Sequence, residues 1–170
     1  MFTKEDFAKL RSLAAIERIS PRDFEWFTKF FLESMGCSNV LVTKKHGPHH
    51  ADGGIDVTCK RNGQECIVQC KKWRFGFGGL HGPMPVRVVR ELGGCMLRDG
   101  VRHGILVSTL TYDHLTQSEA QKMNIELIGL PDIFAVMREH NPKFSERERL
   151  SWFQALLRAL WSFLRMIVRG

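Results

Sequence analysis

Residues 55–72 read IDVTCKRNGQECIVQCKK, and the Asn62-Gly63 pair at their centre decides how the surrounding chain folds. Asn-Gly between two runs of alternating, β-rich sequence is the strongest short-range hairpin signal, because both residues accept the positive φ of a two-residue turn. Such a turn fixes the register of the strands, which places Asp56 directly across from Gln69. Side chains alternate along a strand, so Lys71 shares a face with Gln69. One face then presents an acid, an amide and an amine, with the opposed Cβ atoms about 5 Å apart. The other face reads Ile55, Val57, Cys59, Cys66, Val68 and Cys70 and is wholly apolar. Its cysteines serve as small hydrophobes, with Cys59 and Cys66 opposed.

Moving outward, the spacing of Phe7, Leu10, Leu13 and Ala14 predicts a helix over residues 6–18. Ser20-Pro21 starts a second helix over 21–35, since the serine caps orphan amides and proline lacks an N–H that would be orphaned anyway. Asp23 strengthens that cap, Gly36 stops the helix, and Phe24, Phe27 and Phe31 line its buried side. Strands are expected at 39–44, 55–60 and 64–72, followed by a helix from Pro85 with Val86, Val89 and Met96 inside. Gly93-Gly94 either weakens this helix or admits a close neighbour. A continuous apolar strand at 105–108, a helix at 112–123, a strand at 125–128 and a helix at 132–139 complete the pattern. The late βαβ alternation gives an α/β fold, a central mixed sheet of about five strands flanked by helices. Three parts are expected: an N-terminal helix over 1–19, a core domain over 20–140, and a C-terminal amphipathic appendage over 141–170. No repeat is present.

Composition narrows the function. Apolar residues make up 44% and charged residues 25% of the 170, which excludes a disordered or collagen-like chain. Five cysteines with no zinc-finger spacing, and no leading signal segment, favour a reducing cytoplasm over secretion. The net charge is +7. Residues 40–102 hold eleven basic against five acidic groups, so nearly all the excess lies there. That segment is either a solvated basic face or a track for phosphates of a nucleic acid or an anionic membrane surface, with Lys44, Lys45, Lys72, Arg74, Arg87 and Arg90 as the candidate contacts.

The polar hairpin face admits two readings as well. It is a solvated sheet face, or it lines a cleft, since helices on both sides of a mixed sheet cover its two faces. In a cleft, a carboxylate and an amide oxygen are hard ligands for Mg²⁺ or Mn²⁺, which also bind phosphate oxygens. A neighbouring lysine orients or deprotonates water and opposes charge growing on phosphate. Together these are the parts of metal-assisted phosphodiester hydrolysis.

The ordered set of Ser20-Pro21-Arg22-Asp23-Phe24-Glu25, Asp52-Gly53-Gly54-Ile55-Asp56 and Ile67-Val68-Gln69-Cys70-Lys71-Lys72 resembles the catalytic domain of Mrr-type restriction endonucleases, in the PD-(D/E)xK nuclease superfamily. Residues 89–94, 104–108 and 125–129 extend the resemblance, which spans about 20–138. It implies a restriction-endonuclease-like α/β/α core and a Mg²⁺- or Mn²⁺-dependent endodeoxyribonuclease, a type IV-like hydrolase that restricts foreign or modified double-stranded DNA. Asp56 matches the metal-binding acid, Gln69 the position that is a carboxylate in most of the superfamily, and Lys71 the catalytic lysine. Glu25 matches a helix glutamate that completes the metal site, with the Cys70 backbone carbonyl as a further ligand. The amide is typical of the Mrr branch but binds metal more weakly than an acid. This leaves an alternative: a weak or inactive DNA-binding protein on the same fold. Two copies are expected, since one hydrolytic site cuts one strand.

Four features stay open at this stage. Arg22, Glu25, Lys29 and Glu33 share a helical stripe and read equally as a surface ion-pair ladder. His46, His49 and His50 form either a solvated loop or a zinc or DNA contact. Phe75 and Phe77 either anchor their glycine-rich loop or stack on a base. Residues 150–169 set Ser151, Gln154, Arg158, Ser162, Arg165 and Arg169 along one stripe of an otherwise apolar helix, which packs on the core, on a second copy, or on a membrane surface.

Overall fold

The computed structural model describes residues 2–43, 54–73 and 83–144. Residues 150–169, the histidine loop and the phenylalanine loop therefore lie outside the described residues.

Two short helices, α1 (Lys4–Lys9) and α2 (Leu13–Arg18), stand where one was expected over 6–18. The break is local in origin. Thr3 and Asp6 cap each other to start α1, and Ser12 starts again by accepting from the Ala15 amide at 3.3 Å. Leu10, extended and buried, separates the two. Arg11 satisfies the carbonyls of Ala8 and Leu10 that the interruption leaves over.

Helix α3 (Pro21–Ser34) follows its signals closely. The Ser20 hydroxyl accepts from the Asp23 amide at 3.0 Å, and the chain leaves the helix through Gly36 at φ +84°. Phe24, Phe27 and Phe31 are fully buried, with ring centroids of successive pairs 5.5 and 5.7 Å apart.

Five strands form one sheet in sequence order: β1 (Ser38–Val42), β2 (Val57–Arg61), β3 (Gln64–Lys71), β4 (His103–Ser108) and β5 (Ile125–Ile128). β1, β2 and β3 pair antiparallel, whereas β3, β4 and β5 run parallel, so the sheet is mixed. Parallel neighbours need crossovers, supplied by α4 (Val86–Asp99) and α5 (His114–Lys122). Helix α6 (Leu130–His140) closes the described core. At the hairpin, Asn62 and Gly63 take φ of 51° and 78°, and the register runs from Arg61 with Gln64, through Cys59 with Cys66, to Val57 with Val68.

Each sheet face has its own core. Val57, Cys59, Cys66, Val68, Ile105, Val107 and Ile128 pack under α1, α2, α3 and α6, joined by Phe2, Leu10, Leu13 and Ile16. Ile67, Leu106 and Ile125 pack under α4 and α5. Ile55 departs from the alternation expected of it, because it lies before β2 begins and joins the α4 side instead. On α4, Val88 and Val89 are buried while Val86 is only half-buried, which shifts the expected inner face by a residue. The glycine pair divides in function: a Cβ on Gly93 would sit 2.7 Å from Met123 Sδ, whereas Gly94 faces open space. All five cysteines are free. Among the described residues no helix is long and apolar enough to cross a membrane.

Truncating Phe27 to alanine removes the ring at the centre of this stack and is expected to cost about 3–5 kcal/mol. Ser20→Ala, which deletes only a cap, should cost about 1 kcal/mol. Urea unfolding curves of the two variants measure both, and equal losses would contradict the layered packing.

Candidate active site

β3 ends in Gln69, Cys70 and Lys71, and everything that distinguishes the site is arranged around these three residues. Parallel strands β3 and β4 finish side by side, with Lys71 in register with Ser108. Ligands of open α/β sheets gather at such carboxyl ends.

Asp56 reaches this point by a local irregularity. The regular ladder stops at Val57 and Val68, and the Asp56 amide donates to that same Val68 carbonyl at 2.9 Å. Two successive residues thus meet one partner, the arrangement that bends a strand and re-aims a side chain. Asp56 is therefore not the simple cross-strand partner of Gln69 that the turn suggests. Its carboxylate instead accepts from the Cys70 amide at 2.8 Å, and its carbonyl accepts from the Thr43 amide at 2.9 Å. Both strands beside Asp56 hold it. It is 7% exposed, which decides against a solvated face.

Gln69 is buried more deeply, at 2%. Its Oε1 has no hydrogen-bond partner, although a buried amide oxygen left unpaired costs about 1–3 kcal/mol. Lys71 follows on the same side of the strand and is half-buried, its carbonyl accepting from the Thr109 amide at 3.3 Å. Asp56, Gln69 and Lys71 are thus brought to one end of β3.

Glu25 sits on α3, the layer packed against the opposite sheet face from Ile67. Of the expected ladder, Lys29 and Glu33 form an ion pair, and Lys29 also donates to the Val40 carbonyl at 2.7 Å. Glu25 itself is buried and so has left the solvated stripe. The basic candidates part company. Lys72 donates to the Glu17 carbonyl at 2.8 Å, which ties it to α2. Arg87 is exposed on α4, while Arg90 bonds Glu119 at 2.7 Å and holds that carboxyl below its ordinary range. Lys44, Lys45 and Arg74 lie outside the described residues.

Four residues near the site had no role assigned by a reading of motifs alone. Thr109 Oγ1 accepts from the Trp73 amide and donates to the Trp73 carbonyl, both at 3.0 Å, which clamps the chain just past Lys71. Ser108, fully buried, accepts from the Leu110 amide. Tyr112 donates to the Leu106 carbonyl at 2.9 Å beneath them, and burial pushes its phenol well above the usual value. Ser108-Thr109 directly after an apolar strand was the available signal. Gly54, at φ +80° beside Gln69, is the fourth: it stands inside the Asp52–Asp56 motif, but its contact with Gln69 is visible only in the fold.

The donor set suits a hard divalent cation. An unpaired amide oxygen, a carboxylate and a neighbouring backbone carbonyl are all oxygen donors of the kind Mg²⁺ takes, with water and phosphate completing its shell. Among the described residues there is no group of three His, Cys, Asp or Glu fit to hold a metal.

Residues 16–137 match the Mrr catalytic-domain family model, described as restriction endonuclease. Among solved structures the fold is similar to that of the DNA modification-dependent restriction endonuclease AspBHI, at 15% identity and a TM-score of 0.57 over 85% of this chain and 37% of that one. It is also similar to AF1548, a protein of unknown function, at 13% identity and a TM-score of 0.51 over 68% of this chain and 66% of that one. No curated protein matches the chain by sequence. The chain spans less than two thirds of either structural neighbour, and identities this low carry the fold alone. The family model covers most of the chain, and on that ground this protein belongs to the Mrr catalytic-domain family of restriction endonucleases.

Proposed function

We propose that the chain is a divalent-metal-dependent DNA endonuclease of the Mrr type, acting on foreign or modified duplex DNA. The observation that carries this reading is the buried, unpaired Oε1 of Gln69 at the end of β3 that also holds Asp56. A protein interior rarely leaves such an oxygen orphaned unless something outside the chain fills the place.

Asp56, Gln69 and the Cys70 carbonyl would hold Mg²⁺ or Mn²⁺, and the family resemblance adds Glu25, which α3 carries on the layer across the sheet from Ile67. Bound there, the ion polarises the phosphate and lowers the pKa of a coordinated water. The Asp56 carboxylate is fixed by the Cys70 amide and needs no rearrangement to serve as a ligand. Lys71, one turn of the pleat beyond Gln69, orients the attacking water and opposes charge developing on the phosphate. Arg87 on α4 is free to meet the DNA backbone, whereas Lys72 is engaged with α2 and Arg90 with Glu119. Lys44, Lys45 and Arg74 belong to the same proposed contact set. Duplex cleavage needs two such sites, hence two copies, and five free thiols suit a cytoplasmic setting.

One observation favours a second reading. An amide replaces the acid that would strengthen metal binding, so a DNA-binding protein with little or no cleavage fits the same site, with or without attachment to a membrane surface through residues 150–169. Cleavage assays separate the two. With Mg²⁺, the purified chain is expected to nick plasmid DNA, and Asp56→Ala or Lys71→Ala to lower the rate by about 10²–10⁴. Salt-sensitive binding with no metal-dependent nicking would establish the second reading. Methylated, unmethylated and branched substrates compared side by side show which DNA is attacked.

Gln69→Glu adds a charged ligand and should lower the Mg²⁺ concentration for half-maximal cleavage by about tenfold, since affinity rises with ligand charge. An unchanged midpoint would remove Gln69 from the metal site.

A further inference from the structure

Gly54 lies two residues before Asp56, with φ +80°. A Cβ built on it would overlap Gln69 Nε2 and lie 3.6 Å from Gln69 Cδ. The carboxamide of Gln69 therefore packs its nitrogen end against the bare Cα of this glycine, while its oxygen end is buried without a partner. The two ends of an amide have nearly the same shape and opposite hydrogen-bond sense, and only the oxygen binds a cation. A side chain at position 54 would displace this carboxamide, so the bare Cα of Gly54 is what lets the Gln69 amide occupy its place at the end of β3.

We propose that Gly54 is a positioning residue: by leaving room for the Gln69 carboxamide, it lets that amide lie beside Asp56, where its oxygen is available to a cation. The inference rests on the metal-dependent reading above. It differs from the simpler explanation that Gly54 is glycine only because positive φ strains other residues. The difference is measurable, because strain is independent of Gln69 and positioning is not.

The test is Mn²⁺ binding by isothermal titration calorimetry on the intact chain without DNA, for wild type, Gly54→Ala, Gln69→Ala and the double variant. Each single variant should weaken Mn²⁺ by at least about tenfold, as loss of a ligand or its support does. The double variant should bind no more weakly than Gln69→Ala. Gly54→Ala binding like wild type, or costing the same factor in both backgrounds, overturns the inference while leaving the metal reading intact. Gln69→Ala binding like wild type overturns it too. Failure of the wild type to bind Mn²⁺ overturns both. Should Gly54→Ala not fold, circular dichroism of the double variant decides: recovery of the fold supports an overlap with Gln69, and continued unfolding assigns the glycine to backbone strain alone.

Discussion

The bond from the Cys70 amide to the Asp56 carboxylate ties the irregular end of β2 to the end of β3, and the rest of the site is arranged about it. A charge-assisted bond of this kind is roughly twice as strong as a neutral one and resists the loss of a strand's last ladder contacts. It fixes an acid that would otherwise end a frayed edge. It also leaves Gln69 and Lys71 facing the α4 side, where Ile67 and Leu106 close the core behind them. Thr43 and Thr109 complete the frame, since the Thr43 hydroxyl lies against the carbonyls of Ile55 and Asp56 and Thr109 accepts from the Trp73 amide.

Much of this was legible in the sequence because the decisive signals are local. Asn62-Gly63 specified a two-residue turn, and the register through Val57 and Val68 follows from it without tertiary information. The parallel half of the sheet was legible from the apolar run at 105–108 and the helix between it and β5. The first helix was misread because an apolar spacing persisted across Leu10 while Thr3 and Ser12 each offered a cap, and capping prevailed over periodicity. Ile55 was misplaced for a related reason. Alternation holds only inside a ladder, and the ladder ends one residue after Asp56.

The site was less legible than the fold. Asp56, Gln69 and Lys71 could be picked out by residue type, but the way Asp56 comes to lie at the end of β3 could not, since it depends on an irregularity that no pattern announces. Glu25 shows the reverse difficulty: its spacing with Lys29 and Glu33 describes a solvated stripe, and only packing on the sheet removes it from that stripe. The basic residues likewise look equivalent by charge, yet Arg90 and Lys72 have partners from distant parts of the chain.

The two-residue turn carries a constraint beyond its own neighbourhood. Gln69 and Lys71 point into one layer and Cys66, Val68 and Cys70 into the other, so a single residue added or lost at Asn62-Gly63 that shifted the pairing would exchange the two sets. An amide and an amine would then be driven beneath the phenylalanines of α3, and the thiols would replace them on the α4 side. Loop length, elsewhere among the most freely varied properties of a chain, is at this one position as restrictive as the identity of the acid.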